Sequence, residues 1–406
     1  MTPYGNFHFF LIALIVLAPI IIMGLFGKRS KIYNFISTAV MIVLIFSDHK
    51  HNLFGNEYLS YQLFSFILYI IWQVIVIKGY EKVRVYSNAT SLYVASFVLS
   101  ILPLAAVKIL QSSWLGHGQL HMHSSRIVEL FGFLGISYVM FKSVQLIMEL
   151  RDGSIKEVSI FKLVQFITFF PTISSGPIDR YKRFVKDDDK GLDRHKYRTL
   201  LEKAVHYIML GFLYKYIVAH LIHSYAIVPL QLHHLNSFLD YLGYMYAYSF
   251  YLFFDFAGYS LFAVALSYVY GIETPMNFNQ PFKAKNIKDF WNRWHMSLSF
   301  WFRDCVYMRL VFYMTKNKIM KKPLNISNLG FLINFGIMGI WHGLESFYII
   351  YGLYHGVLFI LYSYYEKWRK KRFGKLKHPV FNVLSIVITF HFVAFGFLIF
   401  SGKLFN

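Results

Sequence analysis

Long apolar runs recur from one end of the chain to the other, at 9–26, 33–46, 61–76, 89–110, 128–148, 204–222, 238–269, 329–341, 346–364 and 379–400. Each approaches the about 20 residues an α-helix needs to cross a hydrocarbon core, and the longest has enough residues to bend into two. The pattern predicts an all-α polytopic membrane protein with about eleven transmembrane helices. No stretch between the runs is long enough to fold by itself, so 1–406 is expected to form one membrane domain. Within it, 1–110 carries almost no ionisable side chains in its apolar runs and reads as scaffold, whereas 128–364 carries the polar interruptions.

Those interruptions are ordered. Tyr138, Lys142, Gln145 and Glu149 follow helical i, i+4, i+7, i+11 spacing, which makes one polar stripe facing the protein interior. The following segment, FKLVQFITFFPTISSGPIDRYKRF, is too short in its apolar part to cross and has basic loops on both sides. It predicts a re-entrant segment broken by Pro171, Gly176 and Pro177, with the turn at 174–177 either lining a cavity or lying at the interface. A second such segment, 275–312, is expected to carry a helix over 289–306 that repeats Trp291, His295 and Ser299 on one side, with Asn292 and Arg303 near its edges. Lys215 and Asp255 fall inside apolar runs, where a charge needs a partner or water, and both are expected to turn inward.

Composition agrees with the pattern. The chain is 56% hydrophobic and 15% charged, with a mean hydropathy of +0.45, which excludes a soluble protein. Its formal charge of +21 would suggest nucleic acid in a soluble domain. Here the basic residues fall in alternate loops, at 28–31, 78–84, 180–198, 283–293, 316–322 and 367–377, which is the positive-inside pattern. Topology and attraction to anionic lipid account for the charge without nucleic acid, and an acidic cytoplasmic partner is an additional use for it. The amino terminus is then extracellular, and the first run, which lacks a basic leader, reads as a retained span.

A single cysteine, Cys305, excludes an intrachain disulfide and reads as packing. His117, His121 and His123 lie close in sequence, but the glycines among them and the lack of a carboxylate or cysteine favour a solvated loop, so no metal site is expected.

Chemistry is sought at ionisable groups at membrane depth. His342, in Met338–Gly343, interrupts an apolar run; it either bonds a carbonyl between packed helices or lines a wet passage. Two dipping segments near it would suit a reaction or a transport route equally. Imidazole can take or give a proton near neutral pH, and no Ser-His-Asp or Cys-His nucleophile is readable.

The blocks DFWNRWHMSLSFWFRD and GIWHG, with GIS at Gly135 and SGPIDRYKRF around Gly176, resemble the membrane-bound O-acyltransferase superfamily, and within it the branch that D-alanylates teichoic acids. Alginate-type O-acetyltransferases share the two histidine blocks but continue with a YIPLGG-like stretch. Here the chain runs Val306-Tyr307-Met308-Arg309-Leu310-Val311-Phe312.

The resemblance implies a helical fold around a central cavity in the bacterial plasma membrane. It places the catalytic histidine at His342 and the second motif histidine at His295, the latter as orienter, oxyanion donor or thioester-positioning group. Asn292, Ser297, Trp341 and Asp255 are candidate supporting or tunnel residues. The resemblance also implies no permanently bound cofactor: the donor would be D-alanine on the phosphopantetheine of a small acidic carrier protein. Further membrane and extracellular proteins of teichoic-acid D-alanylation are implied as partners. Val311, Phe312, Tyr313 and Met314, followed by Lys316 and Lys318, offer an apolar ridge and positive charge for docking that carrier. The same residues also suit an interfacial helix with snorkelling lysines. A transporter or flippase of an alanylated intermediate and a polysaccharide O-acetyltransferase are the alternatives.

Overall fold

The computed structural model describes residues 1–47, 61–112, 132–232, 235–373 and 379–405; the three histidines at 117–123 lie outside them. The described residues are helical, with no strand among them. In chain order the helices are α1 (Phe7–Leu25), α2 (Lys31–Phe46), α3 (Tyr61–Tyr86), α4 (Thr90–Gln111), α5 (Ile136–Arg151), α6 (Ile160–Thr168), α7 (Tyr181–Asp189), α8 (Arg194–Leu232), α9 (Phe238–Val269), α10 (Ile287–Trp291), α11 (Met296–Phe302), α12 (Met308–Lys316), α13 (Pro323–His342), α14 (Ser346–Phe373) and α15 (Pro379–Phe400).

Eight of these are long and apolar enough to cross a membrane: α1, α3, α4, α8, α9, α13, α14 and α15. The longest apolar run does not bend into two; α9 is continuous over 32 residues. Starts are set by local chemistry. The side chains of Asn6, Ser30 and Asn286 accept the backbone N–H three residues on, at the beginnings of α1, α2 and α10, and Pro323 opens α13, where no N–H partner is needed.

Two compact units divide the chain, residues 1–210 with 259–275 and residues 211–258 with 276–406. In the first, α5 packs against α3, α4 and α6 and is buried along nearly its whole length. Its polar stripe turns inward as the spacing predicted. Tyr138, Lys142 and Gln145 are buried, the Lys142 ammonium donates to the Phe166 carbonyl at 3.0 Å and to Thr172 Oγ1 at 3.1 Å, and Gln145 donates to Glu149 at 2.9 Å. The nine residues of α6 cannot cross a bilayer, and a 3₁₀ turn at Phe170–Thr172 ends the segment. Beyond it, Asp179 is buried and paired with Arg183; burial pushes its carboxyl above the usual range and Arg183 pulls it back. The Arg29 guanidinium closes this unit, donating to the carbonyls of Asp188, Tyr270 and Gly271 at 2.9–3.1 Å.

The second unit holds every site residue singled out from the sequence. Its centre is the antiparallel hairpin of α13 and α14. The two helices meet at Gly339 and Gly352. A Cβ on Gly339 would lie 2.5 Å from the Tyr348 carbonyl oxygen and 3.2 Å from Gly352 Cα, and a Cβ on Gly352 would overlap the Phe335 carbonyl. Small residues at a crossing allow backbones to approach and gain dispersion contacts where lipid supplies no hydrophobic drive.

Gly352→Val should therefore destabilise the detergent-solubilised protein by about 1–3 kcal/mol, as overpacking does. Gly336→Ala, on α13 one turn before Gly339, meets only Leu353 Cδ2 at 3.9 Å and should be neutral or stabilising. Thermal unfolding followed by size-exclusion fluorescence reads both, and equal shifts for the two variants would count against the crossing.

Candidate active site

The segment around His295 is not one helix. α10 ends at Trp291, capped by the Asn292 N–H on the carbonyls of Lys288 and Phe290, and α11 begins at Met296 with His295 as its N-cap. His295 adopts left-handed backbone, φ 42° and ψ 53°, and so lies outside both helices. A non-glycine residue in that region persists only where its surroundings hold it. They do so through the chain at 277–279. Met296 N donates to the Asn277 carbonyl at 2.8 Å, Ser297 Oγ donates to Asn277 Oδ1 at 2.6 Å, and Asn279 N donates to the Arg293 carbonyl at 3.0 Å. The expected continuous helix over 289–306 is thus corrected, because these bonds draw the backbone at 293–296 out of the helical ladder. Past the break, α11 continues through a π-helical stretch, Arg303–Tyr307, into α12.

The break buries the His295 imidazole, 5% exposed, edge-on to Phe256 of α9 with ring centroids 4.7 Å apart. Its Nε2 is buried without a hydrogen-bond partner among the described residues. Buried polar atoms are mostly paired, so one left open is notable.

His342 is the last residue of α13, followed by Gly343 in extended conformation, φ 179°. The Tyr348 ring occupies the space a Cβ at 343 would need, so the chain can turn directly from His342 into α14. The His342 ring is half-buried, within 4.5 Å of the Trp341 ring, 5.0 Å of Phe400 and 6.1 Å of Tyr351. It is therefore neither sealed off nor wholly exposed. Trp341 also meets Phe302 of α11, the helix that His295 caps, so the element carrying His342 packs against the one that follows His295, both within the second unit.

The other expected residues divide. Ser297 supports the break. Asp255, on α9, pairs with Lys215 of α8 at 2.5 Å, so each charge answers the other as a pair at membrane depth must. Lys215 lies in a π-helical stretch of α8, Leu213–Ala219. Asn292 is exposed and caps α10 through its backbone; its side chain stands away from the buried His295.

On α12, Phe312 and Tyr313 are 69% and 60% exposed and Lys316 is exposed, as is Lys318 in the turn that follows, whereas Val311 is half-buried. Met314, at 3% exposure, faces inward, so it is removed from the ridge. Met308 extends the exposed apolar face one turn earlier, at 54%, and i, i+4 spacing to Phe312 was its signal in the sequence. One buried titratable residue escaped the sequence reasoning altogether. His355, in the middle of α14, is fully buried, and its place inside an apolar run was the signal that could have found it.

Residues 22–401 match the family model described as MBOAT, membrane-bound O-acyltransferase family. The chain is 51% identical over 407 residues to a teichoic acid D-alanyltransferase of Bacillus subtilis, covering 100% of this chain and 99% of the relative. It is 43% identical over 419 residues to a protein of the same name from Lacticaseibacillus rhamnosus, covering 100% and 98%. A Pseudomonas aeruginosa protein named "Probable alginate O-acetylase AlgI" is 30% identical over 278 residues, covering 66% of this chain and 49% of that one.

If the Ser297–Asn277 bond holds the break, Ser297→Ala should lower stability by about 1 kcal/mol. Adding Asn277→Ala should cost little more, since both changes remove one bond. Thermal unfolding of the two single variants and the double variant checks this, and fully additive losses would assign the break to something else.

Proposed function

The chain belongs to the membrane-bound O-acyltransferase family, and on that premise we propose that it transfers D-alanyl groups to teichoic-acid hydroxyls. The donor in this reading is the phosphopantetheine thioester of an acidic carrier protein in the cytoplasm, and the acyl group passes across the bacterial plasma membrane. The observation that carries it is the placement, in one compact unit, of a half-buried His342 and a buried His295 whose Nε2 has no hydrogen-bond partner among the described residues. Full-length similarity to the D-alanyltransferases, against two thirds of the chain for the alginate relative, supports D-alanyl over acetyl transfer.

The step is a direct acyl transfer. His342 takes the acceptor hydroxyl proton as the oxygen attacks the thioester carbonyl; the C–S bond then breaks and the thiolate leaves, to be reprotonated from the His342 imidazolium. His295, whose buried Nε2 has no hydrogen-bond partner among the described residues, is the group to hold the carbonyl oxygen as charge develops on it. Ser297 and Asn277 keep His295 at its position, and Trp341 flanks the base. The protein needs no cofactor of its own in this scheme, because the carrier brings the pantetheine arm.

Carrier docking is assigned to the exposed face of α12, with Met308, Phe312 and Tyr313 giving apolar contact and Lys316 and Lys318 giving charge complementary to an acidic surface. In this reading that face lies with the basic loops on the cytoplasmic side and the amino terminus lies outside. Other membrane and extracellular proteins of teichoic-acid D-alanylation would receive or relay the product.

Purified protein in detergent, supplied with alanyl-carrier and a soluble hydroxyl acceptor, tests the reading. Transfer should proceed without a sealed vesicle, and His342→Ala should reduce it on the order of 10²–10⁴-fold at unchanged protein level, the usual worth of a general base. Wild-type rates in that variant, or a need for sealed vesicles, would overturn the assignment. Phe312→Asp should raise KM for the carrier and leave kcat and thermal stability near wild type; an unchanged KM would remove α12 as the docking face.

A further inference from the structure

His355 takes no part in the scheme above, yet it sits where the two histidine-bearing elements meet. On α14, Tyr351 and His355 are four residues apart and so share a face. The Tyr351 ring lies edge-on to both His342 (6.1 Å) and His355 (4.7 Å). On α13, Phe335 lies two turns before His342, on the same face, and touches the rings of Trp291 (5.1 Å) and His355 (6.1 Å). From α10, the Trp291 indole N–H donates to His355 Nδ1 at 3.3 Å, with the two rings perpendicular and 5.2 Å apart. All four side chains are almost wholly buried, at 6% for Trp291, 4% for Phe335, 3% for Tyr351 and 0% for His355.

The hydrogen bond fixes the tautomer. An indole nitrogen only donates, so Nδ1 of His355 must be the acceptor and the ring proton sits on Nε2. That edge of the ring faces α15 at Gly396, where a Cβ would lie 2.8 Å from Nε2. A glycine there leaves room for an imidazole turned with Nδ1 toward the indole. Trp291 is the last residue of α10, four positions before His295, and the backbone between them is the tight turn already tied to Asn277 and Asn279. The indole thus ties the last residue of α10, where that turn starts, to α14, one turn after Lys288 pairs with Glu366 of the same helix at 3.1 Å.

We propose that His355 is a positioning residue for acyl transfer: it accepts from the Trp291 indole and thereby holds the His295 turn in register with the α13–α14 hairpin that carries His342. The proposal deepens the functional reading above and rests on it for its kinetic consequences. The bond itself does not depend on that reading. A small displacement of a reacting group is expensive, so the effect should fall on the rate of the chemical step and leave donor binding alone.

The test uses full-length protein in detergent. His355→Leu keeps bulk but removes the acceptor, His355→Asn keeps an acceptor at the place of Nδ1, and Trp291→Phe keeps a ring but removes the donor. We expect His355→Leu and Trp291→Phe each to lower kcat roughly ten- to a hundred-fold with KM for the alanyl-carrier unchanged. The double variant should be no slower than the slower single one, and His355→Asn should restore most of the rate lost in His355→Leu. The pH dependence of kcat should keep the shape of the wild type, since the variants displace His295 without removing a titrating base. Gly396→Ala, which crowds the ring and leaves both bonding partners in place, should show the same kcat defect in milder form.

Independent losses that multiply in the double variant, a His355→Asn as slow as His355→Leu while eluting as folded protein, or a His355→Leu that loses thermal stability at full kcat would each overturn the proposal. Nitrogen chemical shifts of labelled histidine supply a reading without activity. A protonated Nε2 and bare Nδ1 at His355, changed by Trp291→Phe, supports the bond even if the transfer reaction is of another kind; the opposite tautomer removes it.

Discussion

The second unit depends on how closely α13 and α14 can approach. With glycines at 339 and 352 the helices touch backbone to backbone, and the carbonyls of Tyr348 and Phe335 occupy the space that side chains would take. A hairpin so tight leaves little freedom at its end, and His342 is at that end. The catalytic candidate is thus presented by a helix terminus that is fixed by dispersion between backbones and flanked by rings of Trp341, Tyr351 and Phe400. In a medium with no hydrophobic drive between helices, such contact is the economical way to place a polar group.

The opposite device serves His295. Here the helix is interrupted instead of packed, and the interruption is held by three hydrogen bonds to the chain at 277–279. A left-handed residue costs on the order of 1–3 kcal/mol, which those bonds offset. The return is an imidazole aimed out of the helical ladder with one nitrogen left for something other than the protein. Two strategies, tight packing for the accessible ring and a pinned break for the buried one, position the two histidines of one unit.

What the sequence made legible follows from period and length. Helix spacing alone placed Tyr138, Lys142 and Gln145 inside, because a stripe of polar groups in an apolar run has only one affordable direction. Motif histidines were legible for the same reason of misplaced polarity. The break at His295 was not, since periodicity assumes that the ladder continues, and nothing local in WNRWHMS announces that Asn277 will compete for its bonds. Extending that assumed helix also misjudged Asn292, which turned out to be an exposed cap. Met314 failed differently: a short apolar quartet reads as a ridge, but a helix can show solvent only two or three of four consecutive residues, and here Phe312 and Tyr313 took that face.

Charge in this unit is treated quite unlike the aromatic cluster. Lys215 and Asp255 meet at 2.5 Å, so each charge is answered by the other. His295 and His355 are nearly inaccessible and lie among rings, Phe256 edge-on to the first and Trp291 and Tyr351 edge-on to the second. A buried carboxylate beside either imidazole would favour its protonated form, and an imidazolium can accept no proton and no hydrogen bond. Surrounding the histidines with edge-on aromatic rings instead leaves His355 Nδ1 able to accept from the Trp291 indole, which is what that bond requires.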